Sequence, residues 1–290
     1  EQVARPVSAE VGQEIADLDI LGVRIDPLTR RFYPQGELAG QVIGFVIEDV
    51  DGARGALGIE GYYNDQLAGQ NLNQEVSNIP FDLPLDEITS QRGRNIILTI
   101  DRDLQFWVES ELQRSIEETG STQGTIIIMD PRNGDILAMA SWPNFDPNNF
   151  QEVEDPALLR NAAVSESYEP GSVMKVLTVA GAIEHGTATP TWTYNDQASV
   201  TVGGATIENW DRQAHGVVDA TQVLVQSLNL GVTTMALQMG HENFYNYMRA
   251  FGFGQSTRVD LMAEEAGLIK VPGDPDWSES DLATNSFGQG

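Results

Sequence analysis

The sequence predicts an α+β protein of more than one domain, and three observations carry that expectation. The chain has 290 residues with 41% hydrophobic content, enough for two cores or one large one. Residues 1–90 are irregular and rich in Gly, Asp and Pro, whereas from Asn95 onward apolar residues fall into helical and strand periods. The patterned part mixes helices with short strands, two of which are set up as a hairpin by Asn133-Gly134. These features predict a small α+β module over residues 1–90 that holds something else in place, and a larger domain over residues 91–290.

In the first module, apolar runs such as Gln41–Ile47 predict short strands joined by turns, with one helical stretch near Gly61–Leu67. Asn95–Ile100 predicts a strand, and Asp101 or Asp103 can cap the helix that follows. That helix is expected to pack through Leu104, Trp107, Val108, Leu112 and Ile116. Thr125–Met129 and Asp135–Ala140 read as strands split by Asp130-Pro-Arg-Asn-Gly134, and Asn-Gly between apolar runs signals a hairpin. Asp130 and Asp135 are accordingly turn residues, not acids or bases. Residues 141–170, with Pro143, Pro147, Pro156 and Pro170, read as loop. A helix is expected from Ser172 to His185, with Gly186 as its stop. It is apolar nearly all round, which predicts burial at the centre of its domain. Residues 193–218 read as loops or short strands, and helices are expected at about Thr221–Gln226, Leu230–Met239 and Asn243–Phe251, the last ended by Gly252.

Charge and composition exclude several functions. Forty-three acidic residues against 16 basic ones give a net charge of -27, so a cationic patch for nucleic acid or anionic lipid can hardly be assembled. With no cysteine there is no disulfide, thiolate metal site or cysteine nucleophile. His185 and His241 flank helix ends and His215 falls in a loop, with no carboxylate spacing that suggests a metal or a triad. The opening Glu1-Gln-Val-Ala-Arg5 shows no charged start followed by an apolar run, and no window reaches the roughly 18 apolar residues of a spanning helix.

The chemistry points to a serine. Only two lysines occur, Lys175 and Lys270, so their positions carry information. Ser172 and Lys175, three apart, share a helix face, and Glu169-Pro170-Gly171 places Ser172 at the helix start. Free N–H groups and the positive end of the dipole there favour developing negative charge and disfavour an ammonium. Burial would also push Lys175 toward the neutral amine that a general base needs, and a serine hydroxyl needs such a base to attack. Ser227-Leu228-Asn229, at the junction of two helices, could project a hydroxyl and an amide into a cleft or could simply cap a helix.

Ser-x-x-Lys followed by Ser-x-Asn matches two of the three motifs of penicillin-binding proteins and class A β-lactamases. The likeness extends further. Arg30-Arg-Phe-Tyr-Pro-Gln-Gly36, Ala56-Leu-Gly-Ile-Glu-Gly-Tyr-Tyr63 and Leu67-Ala-Gly69 resemble the N-terminal pedestal of class B penicillin-binding proteins. Leu98-Thr-Ile-Asp101, Met129-Asp-Pro-Arg-Asn-Gly134 and Tyr168-Glu-Pro-Gly-Ser-Val-Met-Lys175 resemble their transpeptidase domain.

The resemblance implies a pedestal (dimerisation-type) domain joined to an incomplete, serine β-lactamase-like penicillin-binding domain that cross-links peptidoglycan without a cofactor or metal. Ser172 would attack a D-alanyl-D-alanine stem peptide, Lys175 would accept its proton, Ser227 would relay a proton toward the leaving group, and Asn229 would hydrogen-bond the substrate amide. Implied partners are stem peptides, β-lactam antibiotics, a membrane glycosyltransferase and other wall-synthesis proteins. The implied location is the outer face of the cytoplasmic membrane, held by an N-terminal anchor ahead of this chain. The third motif, Lys-Thr-Gly, is absent: Lys270 precedes Val271 and Pro272. The resemblance therefore implies a chain that stops short of that motif, with low activity by itself. The other readings are a β-lactamase or D,D-carboxypeptidase relative that uses the same pair, and a non-catalytic scaffold that binds partners through the pedestal.

Overall fold

A computed structural model describes residues 7–23, 30–49, 52–69 and 93–290. The opening Glu1–Arg5 and residues 70–90 of the first module lie outside the described residues. The chain forms two compact units, Glu1–Asn161 and Ala162–Gly290. Both mix helices with antiparallel strands, as expected of an α+β chain, and each sheet among the described residues is two-stranded.

In the first unit, α1 (Ala9–Asp17) is capped by Ser8, whose hydroxyl accepts the Val11 N–H. Next come α2 (Gly40–Ile43), the antiparallel pair β1 (Phe45–Asp49) and β2 (Gly52–Ala56), and the short helices α3 (Gly58–Tyr62) and α4 (Asn64–Leu67). The last two occupy the stretch where one helix was expected. Phe45 stacks on Phe150 at 4.0 Å between ring centroids, which ties this pair to the later chain of the same unit. Asn148 grips the backbone of Tyr33, accepting from its N–H at 2.9 Å and donating to its carbonyl at 2.9 Å.

Helix α5 (Arg102–Thr119) begins where Asp101 accepts the N–H groups of Asp103 and Leu104, and ends at Gly120 with φ 68°. It packs on the hairpin of β3 (Gly124–Met129) and β4 (Ile136–Trp142) through Val108, Leu112, Ala138 and Ala140. The turn forms as expected, with the Asp130 carboxylate accepting the Arg132 N–H at 2.9 Å. Trp107 departs from the expected face and is 72% exposed. At about 100° per residue it lies roughly 135° from the stripe centred on Gln105, Val108 and Leu112.

The strand expected over Asn95–Ile100 does not form. The Thr99 hydroxyl donates to the Ile136 carbonyl, and just past the segment the Asp101 N–H donates to the Leu137 carbonyl. Further along, Gln105 supplants a ladder: its Nε2 donates to the Met139 carbonyl at 2.8 Å and its Oε1 accepts the Met139 N–H at 2.8 Å. A fully buried side chain thus completes the sheet edge. Gln105→Leu leaves both Met139 groups unpaired and should cost about 3 kcal/mol in a urea titration. A loss under about 1 kcal/mol would show that the edge is satisfied some other way.

The loop expected over residues 141–170 contains two 3-10 turns, Pro147–Glu152 and Pro156–Leu159, each with Pro first and an Asp cap, Asp146 or Asp155.

The second unit opens with α6 (Ala162–Ser165) and a 3-10 turn, Gly171–Val173, that runs into α7 (Met174–Glu184). Two ribbons follow, one nested in the other: β5 (Thr193–Asp196) pairs with β8 (Gly216–Asp219), and β6 (Ser199–Val202) with β7 (Ala205–Glu208). Helices α8 (Ala220–Val225), α9 (Asn229–Met239), α10 (His241–Ala250) and α11 (Glu279–Asn285) complete it. Asp219 and Gln222 form a capping box that starts α8.

The central helix is α9, not α7 as its composition suggested. Val176 and Ile183 of α7 are exposed, so that helix buries one face only. Helix α9 buries Leu230, Val232, Met235 and Ala236 against Val179, Val223, Phe244 and Leu282. Gly231 allows α8 to come close, since a Cβ there would sit 2.6 Å from a Val223 methyl.

Candidate active site

Ser172 lies in the 3-10 turn that opens α7 and is exposed, whereas Lys175, one turn later, is 2% exposed. The approach to Ser172 is fixed by backbone. Gly171 has φ 64°, and its N–H donates to the Gly288 carbonyl at 2.9 Å. A Cβ on Gly288 would stand 2.6 Å from the Gly171 nitrogen, so glycine is needed where these strands of chain meet.

Ser227 falls between α8 and α9. Its N–H closes the last turn of α8 on the Leu224 carbonyl, and Leu228, fully buried, pins the chain to the core. Ser227 itself has φ 55°, in the left-handed region that residues with a Cβ seldom occupy. This conformation turns two of its oxygens to Lys175. The Lys175 ammonium nitrogen, Nζ, donates to the Ser227 carbonyl at 2.6 Å and to the Ser227 hydroxyl at 3.0 Å. The Ser227 hydroxyl reaches the Ser172 hydroxyl at 3.0 Å. Among the described residues, the hydrogen-bonded path from Ser172 to Lys175 therefore runs through Ser227.

Burial pushes the Lys175 amine down to about 8, because the charged form loses its hydration. About a tenth of the amine is then neutral at pH 7, far more than for an ordinary lysine, so Lys175 can accept as well as donate a proton. Asn229 opens α9, and its Nδ2 donates to the Glu208 carbonyl at 2.8 Å, which fixes the amide plane and with it the direction of the acceptor Oδ1.

Sequence reasoning passed over a polar group behind this turn. Asp196 and Asn209 are each 2% exposed, and Asn209 Nδ2 donates to the two Asp196 oxygens at 3.0 and 2.8 Å. Burial raises the Asp196 carboxyl, but hydrogen bonds from Tyr194 and Asn209 outweigh it and hold the group below the usual carboxylate range. Asp and Asn in a turn-rich stretch read as turn residues, and only their burial marks them as structural.

The histidines stand apart from these serines: His215 pairs with Asp211 at 3.0 Å, His185 with the Thr187 hydroxyl, and His241 lies beside Trp277. Lys270 meets Asp281 at 3.4 Å. Among the described residues, no group of three or more His, Asp or Glu converges as a metal site requires.

Residues 124–290 match the family model "Penicillin binding protein transpeptidase domain", and residues 1–96 match "Penicillin-binding Protein dimerisation domain". The chain is 33% identical to stage V sporulation protein D of Bacillus subtilis, over 99% of this chain and 44% of that protein. It is 30% identical to peptidoglycan D,D-transpeptidase FtsI of Escherichia coli K12, over 99% of this chain and 48% of that protein. The crystal structure of apo penicillin binding protein 3 from Mycobacterium tuberculosis superposes with a TM-score of 0.75 at 33% identity, covering 89% of this chain and 54% of that one. The same protein complexed with aztreonam gives a TM-score of 0.73 with the same identity and coverage. The chain spans about half the length of the curated relatives it matches.

Proposed function

The chain belongs to the penicillin-binding protein transpeptidase family, and from that premise we propose that it supplies the nucleophile and base of a peptidoglycan D,D-transpeptidase. The observation that carries this reading is the path from an exposed serine, through a second serine, to a buried lysine whose amine burial brings down to about 8.

The chemistry follows from the path. Ser172 Oγ attacks the carbonyl carbon of the terminal D-alanyl-D-alanine bond. Its proton passes to Ser227 Oγ as the Ser227 proton passes to the Lys175 amine. N–H groups in the first helical turn lack intrahelical acceptors and suit the oxyanion that forms. The C–N bond then breaks, the proton returns through Ser227 to the leaving nitrogen, and D-alanine departs from an ester on Ser172. The amine of a second stem peptide attacks that ester and gives up a proton, so that a peptide cross-link forms and the Ser172 hydroxyl is restored. Asn229 Oδ1 accepts from a substrate N–H. A β-lactam opens at the same step, but its leaving nitrogen stays tethered and blocks the second attack, so the ester persists.

Residues 1–90 serve as the pedestal and residues 91–290 as the transpeptidase domain, a division supported by the two family matches. Wall-synthesis partners, a membrane glycosyltransferase among them, would dock on the pedestal, and the substrate places the reaction at the outer face of the cytoplasmic membrane.

The pH dependence of acylation tests the role of Lys175. The neutral amine is the working form, so in the intact protein the rate of Ser172 acylation by penicillin should rise with pH and be half-maximal near the Lys175 value of about 8. A rate that is flat or falls between about pH 6 and about pH 9 would rule out a neutral lysine as the base.

A further inference from the structure

We infer that Glu208, Asn209 and Trp210 form a positioning clamp that holds the Gln226–Leu230 turn and thereby keeps both Ser227 oxygens on the Lys175 amine. The inference rests on the acyl-transfer reading above. Three consecutive residues reach the turn in three ways. The Glu208 carbonyl accepts from Asn229 Nδ2 at 2.8 Å, Asn209 Oδ1 accepts from the Leu230 N–H at 3.2 Å, and Trp210 Nε1 donates to the Gln226 carbonyl at 3.0 Å.

The turn needs such restraint. Ser227 sits at φ 55°, where contact between Cβ and the following carbonyl oxygen disfavours any residue but glycine. That conformation lets one residue present carbonyl and hydroxyl to the same nitrogen, at 2.6 and 3.0 Å. Relaxation of φ to negative values would rotate the carbonyl away from Lys175 and lengthen the path to Ser172. A strained conformation persists only when its surroundings over-determine it. Here the surroundings are the clamp on one side and the buried Leu228 on the other.

Asparagine suits position 209 because the task needs a donor and an acceptor on one short side chain. Asn209 Nδ2 donates to the Asp196 carboxylate and to the Gln213 carbonyl, which leaves Oδ1 for Leu230. Asp196 is itself fixed by the Tyr194 hydroxyl at 2.5 Å and the Ala198 N–H at 3.0 Å, so the clamp stands on the β5–β8 ribbon. Trp210 is 71% exposed, so its indole contributes little packing, and its bond to Gln226 can be removed without disturbing the core.

The test uses the intact protein and benzylpenicillin, with the acylation rate constant k2 and the dissociation constant K of the preceding complex measured separately. Asn209→Leu should lower k2 about tenfold or more, while labelling of Ser172 still goes to completion at long times. Trp210→Phe should lower k2 about threefold or more with an unchanged melting temperature, and K should stay within about twofold of the parent in both variants. Parental k2 in Trp210→Phe overturns the clamp, and so does a loss confined to K, which would mark direct substrate contact instead. If Asn209→Leu does not fold, Trp210→Phe alone decides. A parent protein that is not labelled at Ser172 would overturn the acyl-transfer reading itself, an outcome distinct from parental rates in the variants.

Discussion

Lys175→Met should slow acylation severely and make the protein harder to unfold. The loss of rate follows from removing the proton acceptor at the end of the path and should be on the order of 10³. The gain in stability follows from the buried amine. A fall from 10.5 to about 8 means that the ammonium is disfavoured in the folded state, at a cost of roughly 3 kcal/mol at pH values below both. Methionine fills a similar volume without that cost. The Ser227 carbonyl loses its donor, which takes back about 1–2 kcal/mol, so a net gain of about 1–2 kcal/mol is expected near pH 7. The sign of the pH dependence is specific. Because the folded-state value lies below the unfolded one, the parent becomes more stable as pH rises from about 8 to 10.5, and the gap between variant and parent should close over that interval. Denaturant titrations at several pH values would show it. A variant less stable than the parent at pH 7 would mean that Lys175 is held by partners stronger than Ser227, and an acylation rate near the parent's would exclude it as the base.

Ser227→Ala should lower the acylation rate on the order of 10² while leaving the fold in place. The hydroxyl is the link between Ser172 and Lys175, with 3.0 Å on each side. The backbone carbonyl that also meets Lys175 is retained, and so is the burial of the amine, so the pH for half-maximal rate should stay near 8. Unfolding free energy should change by about 1 kcal/mol or less, since the serine is only half-buried. A rate loss under about threefold would indicate that Ser172 gives its proton to Lys175 by some other path.

The local features of the fold were open to reading where a residue acts on its immediate neighbours. Asp101 caps α5, Gly120 stops it, and Asn133-Gly134 turns β3 into β4, each by chemistry that spans a few residues. Errors arose where a distant partner decides the outcome. Asn95–Ile100 has strand composition but no ladder to join, because Gln105 already occupies the Met139 edge. Helix α7 is apolar nearly all round, yet Val176 faces solvent because α9 fills the centre of the unit.

The site divides along the same line. Ser172 and Lys175 are one helical turn apart, so spacing and the scarcity of lysine single them out. Ser227 is 55 residues away from Ser172, and nothing in Ser-Leu-Asn itself announces a left-handed serine aimed at a lysine. Asn209 and Asp196 carried no signal, since their meaning lies in a burial that only the folded ribbons create.

The most direct test is to treat the intact protein with benzylpenicillin and map the adduct by peptide mass spectrometry. A single penicilloyl ester is expected on the peptide that carries Ser172, and none in Ser172→Ala. An adduct on any other residue, or one that persists in that variant, would contradict the assignment of Ser172 as the nucleophile.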